Sequence, residues 1–408
     1  MFSGTIFVPA LFFSGISTML FFIITKGRIP AYLGSSGSAI SAVLTITQYK
    51  YQAGLLNPDI SLVQGALVTL GLIYMTISFL VMIFGYKIIS AIMPPVVTGS
   101  IVASIGIHLI FSSYRQVTST SFDTYMALAT VLSIMIISIY APLPLLRRLC
   151  LLLGTIIGYI IHLICGIKGI GKSIDFSQVA SSPWFSAPQI HSPVIFDPQA
   201  ISTMAPVVIV LLAENMGHLK ALSSITENSL DHYLGRTYLG DAISIIMCGS
   251  VGTSPMTTYA ENLIMLKVTN IYSPLVILFA AFVAVILGFI SKFGAIVKTI
   301  PEGVFGGTSI ILYTYIFTTG IKIWLDNKID FSDPRNIFIG GLPLMLAAII
   351  QEEVKLNSFQ LDGIGAATFS SIILYQLLRG VDGFKECANS MKLFFTSHKH
   401  KKRMDTNV

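Results

Sequence analysis

Long apolar runs, interrupted by short polar or Gly/Pro-rich breaks, cover most of this chain. A membrane crossing needs about 20 apolar residues, and fewer where a helix is broken. On that measure the runs mark fourteen segments: 1–13, 14–26, 31–47, 61–85, 93–112, 123–141, 147–167, 201–219, 237–250, 255–268, 273–290, 300–320, 335–351 and 362–380. Several are too short to cross as plain helices. The longest polar stretch, Gly169–Ala200, divides them into two sets of seven.

An odd number of crossings per half would leave the halves inverted relative to each other. An internal echo agrees with this. Pro94/Pro301, Val97/Val304 and Gly99/Gly306 share one offset (301 − 94 = 207). Inverted repeats are a mark of secondary transporters, whose binding site lies near the membrane midplane at the repeat interface.

Two segments carry breaks in the same sense. One reads Pro30-Ala31-Tyr32-Leu33-Gly34-Ser35-Ser36-Gly37-Ser38, in the third segment. The other runs from Gly249 through Ser254-Pro255-Met256 to Glu261, in the tenth. Irregular backbone at membrane depth is tolerated only inside protein or against a water-filled cavity. One such break could be a close helix contact. Two, one in each half, point to a binding site.

Composition fixes the class. The chain has 408 residues, 54% hydrophobic and only 11% charged. Soluble domains carry about 25% charged residues, so this is a multi-pass membrane protein. The net charge of +6 does not imply nucleic-acid binding, because Lys and Arg are scattered in short loops and a basic tail. With the C-terminus in the cytoplasm, seven fall outside (Lys50, Arg115, Lys168, Lys172, Lys292, Lys298 and Lys355) and the other 18 of 25 inside. That bias follows the positive-inside rule and places the chain in the cell (plasma or inner) membrane. No cleavable signal peptide is expected at the N-terminus. Cys150, Cys165, Cys248 and Cys387 have no paired spacing and read as small core residues, and no metal-ligand cluster is evident. Trp184 and Trp324 read as interfacial aromatics, and His108 and His162 as packed structural histidines.

The candidate chemistry lies in Ala213-Glu214-Asn215-Met216-Gly217-His218 and in Thr257-Thr258-Tyr259-Ala260-Glu261-Asn262. An ionisable side chain inside a membrane segment costs at least ~2.5–3.5 kcal/mol on insertion scales and so marks a function. Glu214 and His218, at i and i+4, share a helix face. A carboxylate accepts hydrogen bonds from ligand N–H groups, and once protonated donates to a carbonyl. Two carboxylates and an imidazole therefore suit proton-coupled binding of a small ligand rich in N–H and C=O groups. Asp241 reads as a cap or interface residue, and Glu302 as a first-turn acid favourable to its helix dipole. No nucleophile motif or phosphate loop suggests an enzyme.

At these residues, and at Thr25–Ser36, Pro94–Gly99, Ile271–Ser273 and Gly306–Tyr313, the chain resembles the nucleobase–ascorbate transporter family, in its bacterial uracil permease branch. The resemblance runs over nearly the whole chain, in order. It implies a helical 7+7 inverted repeat with two short strands in segments 3 and 10. A core domain would comprise 1–92 and 201–298, and a gate domain 93–168 and 299–380. A connecting loop (169–200) lies outside and a basic tail (381–408) inside. It implies substrate contacts from Glu214 and Glu261, from backbone at Ser36, Gly37 and Ala260, and from Tyr259 and Tyr313. His218 and Glu261 would couple protons, the only cofactor-like species. Uptake would be proton symport by alternating access, in a lipid-embedded chain for which a homodimer is one open assembly.

The chain departs from that pattern. Gly37 stands where the branch usually has Phe, Ala260 replaces a Gly, and Ile264, Asn270, Asn215 and Met256 also differ. A xanthine or other purine carrier, an anion exchanger of the same architecture, and a transport-weakened relative therefore remain alternatives.

Overall fold

The computed structural model describes residues 7–47, 60–187, 193–258, 262, 266, 269–351, 354–356, 359–361 and 363–379. Its first helix, α1 (Phe7–Ile24), runs through the boundary between the first two expected segments. Within it the Thr18 hydroxyl donates back to the Ser14 carbonyl (2.8 Å). Among the described residues, 1–13 and 14–26 thus form one element.

After α1 the chain turns through Lys26 and Gly27, both in the left-handed region. It then enters β1 (Leu33–Ser35) and α2 (Ile40–Thr47). Next come α3 (Ile60–Phe84), the short α4 (Lys87–Ile92), α5 (Pro95–Val117), α6 (Ser121–Tyr140), α7 (Pro144–Arg148) and α8 (Cys150–Ile167). The connecting stretch holds α9 (Ser177–Ser181). The second half opens with α10 (Pro198–Met204) and α11 (Val207–Thr226), then α12 (Leu234–Val251) and β2 (Met256–Thr258). It continues with α13 (Pro274–Leu287), α14 (Ser291–Lys298), α15 (Glu302–Asp326) and α16 (Pro334–Ile349). A hairpin of β3 (Val354–Leu356) and β4 (Phe359–Leu361) leads to α17 (Gly363–Arg379).

Among the described residues, five helical stretches are long and apolar enough to cross a bilayer alone: Ile60–Phe84, Ser121–Tyr140, Cys150–Ile167, Pro198–Thr226 and Glu302–Asp326. α13 and α14 together make a sixth, bent by 91°. The hairpin was absent from the hydropathy reading. Its signal is the alternation Val354-Lys355-Leu356 and Phe359-Gln360-Leu361, too short for a window set to membrane spans.

Two groups of elements pack among themselves. In one, α1 lies against α12, α13 and β1, and α3 against α12. In the other, α5, α6, α8, α15, α16 and α17 interlock. α11 touches members of both. The helices that carry the 207-residue echo, α5 and α15, are direct neighbours. Each begins after an extended proline, Pro94 and Pro301. They run antiparallel: Gly99 faces Trp324 and Gly320, while Gly306 faces Val117. Gly320 is one of the close points of this crossing. A Cβ there would press into the Ala103 amide nitrogen and the Gly99 carbonyl, so only glycine lets the two backbones approach.

Trp324 is not an interfacial aromatic. It is buried between these helices, and its indole Nε1–H donates to the Val96 carbonyl at 3.0 Å. Trp184 is exposed, under Lys292. His162 is buried and His108 half-buried, each bonded to a backbone carbonyl (Lys172 and Ala347). Cys150 and Cys248 are buried free thiols.

Replacing Gly320 with Leu is expected to lower the melting temperature in detergent by several degrees, since overpacking costs about 1–3 kcal/mol and here the clash is with backbone. Gly341→Ala, at a position with open space around it, is the control that should leave it unchanged.

Candidate substrate site

The two broken segments meet. β1 and β2 pair antiparallel with Leu33 opposite Thr258, Gly34 opposite Thr257 and Ser35 opposite Met256. Local chemistry explains why each strand starts there. α12 stops at Gly252, whose left-handed backbone lets the Thr253 amide return to the Cys248 carbonyl (3.0 Å). Such a cap is glycine's common role. Pro255 then cannot continue a helix. On the other side, Pro30 keeps the chain extended after α1. The pairing is extended by the Ser36 amide, which donates to the Pro255 carbonyl at 2.8 Å. The Ser35 and Ser254 hydroxyls also bond to each other.

A two-stranded ribbon leaves outward backbone groups unpaired, and these must find other partners. The Leu33 amide donates to Thr18 Oγ1 at 2.9 Å, the same hydroxyl that bonds back within α1. Tyr32 and Ser14 hydroxyls are 2.8 Å apart. α1 thus holds the outer edge of β1.

α11 supplies the other wall. From Val210 to Leu219 every residue is buried except Glu214, which is partly open. Its Oε2 accepts a hydrogen bond from Ser38 Oγ at 2.7 Å. The turn after β1 is therefore tied to the carboxylate. One turn on, His218 Nδ1 lies 3.2 Å from Thr258 Oγ1, at the end of β2. The i, i+4 pair read from sequence accordingly contacts both broken segments, Glu214 the third and His218 the tenth.

Asp241 was misread from sequence as a cap or interface residue. It sits in the middle of α12 and is 1% exposed. Its Oδ2 accepts from Asn215 Nδ2 at 2.6 Å, and Asn215 Oδ1 accepts from Thr237 Oγ1 at 2.9 Å. Thr258 stands beside the same carboxylate. Asn215, His218, Thr237 and Thr258 line one cavity of about 10 Å³, room for a single water. A buried acid in mid-helix opposite a Glu-Asn pair was a signal available in the sequence. What it lacked was the knowledge that α12 packs on the Asn215 side of α11.

Among the described residues, the buried hydroxyls Ser36 Oγ, Thr253 Oγ1 and Thr257 Oγ1 next to the strand pair have no partner. Leaving a buried polar atom unsatisfied costs about 1–3 kcal/mol. Among the described residues, a Cβ at Gly37 would touch only Leu109 Cδ1, at 3.7 Å, leaving space beside it. Tyr313 of α15 is partly buried and packs against the core. Tyr259, Ala260 and Glu261 lie outside the described residues, as does Ile264. Ser36, Gly37, Glu214 and His218 are brought to the strand pair.

The Asn215–Asp241 link predicts a coupling. Asn215→Leu should cost about 1–3 kcal/mol of stability by leaving the Asp241 carboxyl without its donor. The double change with Asp241→Leu should cost less than the two single changes added together. Thermal unfolding of the four proteins in detergent measures this, and strict additivity would refute the link.

Comparison with known proteins places the chain in a family. A sequence model described as "Permease family" matches residues 2–355. The putative pyrimidine permease RutG of Escherichia coli (strain K12) is 40% identical over 388 residues, covering 93% of this chain and 87% of that protein. The uracil permease of Bacillus subtilis (strain 168) is 32% identical over 406 residues, covering 93% and 90%. Among solved structures, the transmembrane domain of a cyanobacterial bicarbonate transporter, BicA, matches with TM-score 0.58 at 15% identity, over 88% of this chain and 96% of that one. SLC26A9 matches with TM-score 0.63 at 10% identity, over 92% and 63%. These two likenesses concern the fold alone. The chain is a multi-pass membrane permease, not an enzyme, and it belongs to the nucleobase–ascorbate transporter family, in its bacterial uracil permease branch.

Proposed function

We propose that this protein imports uracil or a closely related nucleobase by proton symport, holding the base between segments 3, 8 and 10. The observation that carries the reading is the β1–β2 pair with Glu214 beside it. Strand backbone and orphaned hydroxyls offer hydrogen bonds in a plane, and a carboxylate accepts from ring N–H groups. A pyrimidine base presents alternating N–H and C=O groups that complement such a set. The relatives named as uracil and pyrimidine permeases support the same choice.

In this reading Glu214 and Glu261 bind the base through their carboxylates, Ser36, Gly37 and Ala260 add backbone contacts, and Tyr259 and Tyr313 pack against the ring. His218 exchanges its proton with the site through Thr258, with Glu261 as its coupling partner. The buried set Asp241–Asn215–Thr237 fixes α11 against α12 and so holds His218 at β2. Because Thr258 both ends β2 and contacts His218, a change in protonation there acts directly on the strand that holds the base. The segments of 1–92 and 201–298 form the core, and those of 93–168 and 299–380 the gate. The seam between them follows α11, where Gly217 lies so close to α5 that a Cβ would come within 2.9 Å of Val102 Cγ2. Alternating access moves the gate along this seam, with the C-terminus on the cytoplasmic side.

Uptake of radiolabelled uracil at pH 5.5 and pH 8 tests coupling. Acid is expected to stimulate uptake, and Glu261→Gln or Glu214→Gln to abolish it. Equal uptake at both values would sink proton symport. The open space at Gly37 favours a second reading, a site that admits bases larger than uracil. Gly37→Ala should fold and transport normally, whereas Gly37→Phe should reduce competition by xanthine at least as strongly as it reduces uracil uptake. Xanthine transport without uracil transport would move the assignment to a purine.

A further inference from the structure

With core and gate assigned as proposed above, the chain crosses between them at 85–94, 169–200 and 288–301. The last two crossings carry Lys172, Lys292 and Lys298, which the charge bias places outside. These two outer linkers are fastened to each other. α9 of the first packs on α14 of the second. The Ser186 amide donates to the Phe289 carbonyl at 3.1 Å, and the Ser186 and Ser291 hydroxyls bond to each other. Beside them the Lys292 ammonium lies 4.6 Å over the Trp184 ring. Backbone, hydroxyl and ring contacts thus converge between segments about a hundred residues apart.

Both linkers are also tied to one gate helix. Tyr159 and His162 of α8 stand at i and i+3 and so share a face. The Tyr159 hydroxyl is 2.8 Å from Thr299 Oγ1, in the second linker. His162 Nε2 is 3.1 Å from the Lys172 carbonyl, in the first, and the Phe122 ring of α6 packs edge-on against that imidazole. Towards the core, the first linker is held where the Ile195 amide donates to the Ser61 carbonyl at 3.0 Å. The second leaves α13 through the 91° bend into α14. Gly288 lies at that bend against α1, where a Cβ would come within 2.9 Å of the Phe12 amide nitrogen.

Two separate linkers could each stretch as the domains part. Linkers fastened to each other and to α8 cannot, and the change in backbone angles then falls on a few residues at the ends of the fastened region. We propose that the two outer linkers form one clamp, closed through Ser186, Ser291 and the Trp184–Lys292 stack. It stays shut throughout the transport cycle and serves as the pivot between core and gate. The proposal rests on the core and gate assignment, and goes beyond it in naming the residues that hold the pivot.

The full chain with Ser186→Cys and Ser291→Cys together, in proteoliposomes, tests this. Side chains that share a hydrogen bond are near enough for cysteines there to close a disulfide. Oxidation should cross-link most of the protein, read by maleimide gel shift, equally with and without uracil. Neither single-cysteine variant should cross-link. Adding Trp184→Ala to the pair should slow cross-linking about twofold or more, since it removes the cation–π stack. Radiolabelled uracil uptake by the oxidised pair should match that of the same protein after reduction. Uptake lost on oxidation and restored by reduction would mean that the linkers must part, and overturns the clamp. A low cross-linking yield, a yield that uracil changes, or a rate unaltered by Trp184→Ala overturns it as well. If the reduced protein takes up no uracil, the transport reading fails, while the yield and the Trp184→Ala rate still decide the clamp.

Discussion

The pairing of β1 with β2 is the interaction on which the other features depend. A bilayer offers no water to an extended backbone, so each freed amide and carbonyl must be met by protein. Here the two halves of the chain meet that need for each other through three paired positions. The groups that the ribbon cannot pair internally are served by neighbours: Thr18 for the outer edge of β1 and Pro255 for the residue after it. The strand pair therefore draws one strand from each half of the chain.

Around this ribbon the side chains divide into satisfied and unsatisfied sets. α11 and α12 are clamped by Asn215, Asp241 and Thr237, and the turn after β1 is tied to Glu214 by Ser38. These bonds make the frame rigid. Ser36, Thr253 and Thr257 are left with buried, unpartnered hydroxyls, which is costly unless a ligand meets them. Rigid surroundings and unmet donors and acceptors together are what a selective binding site requires, because preorganisation reduces the ordering cost of binding.

The second group of helices is built differently. α5 and α15 approach closely through Gly99 and Gly320, with Trp324 bonded across the crossing. Contacts between small residues carry little polar commitment, and lipid gives helices no hydrophobic reason to associate.

Sequence alone determined the membrane class, the positions of most helices, the inverted echo and the residues Glu214 and His218, because hydropathy and helical spacing are local properties. It also located both breaks, since Gly, Ser and Pro interrupt apolar runs visibly at Ser36 and Pro255. It could not show that residues 13 and 14 lie inside one helix. Nor could it assign Asp241 or Trp324, whose roles depend on partners 26 and 228 residues away. The tertiary structure decided which elements became neighbours. Burial then turned an apparent cap into the partner of Asn215, and an apparent interfacial aromatic into a strut between two helices.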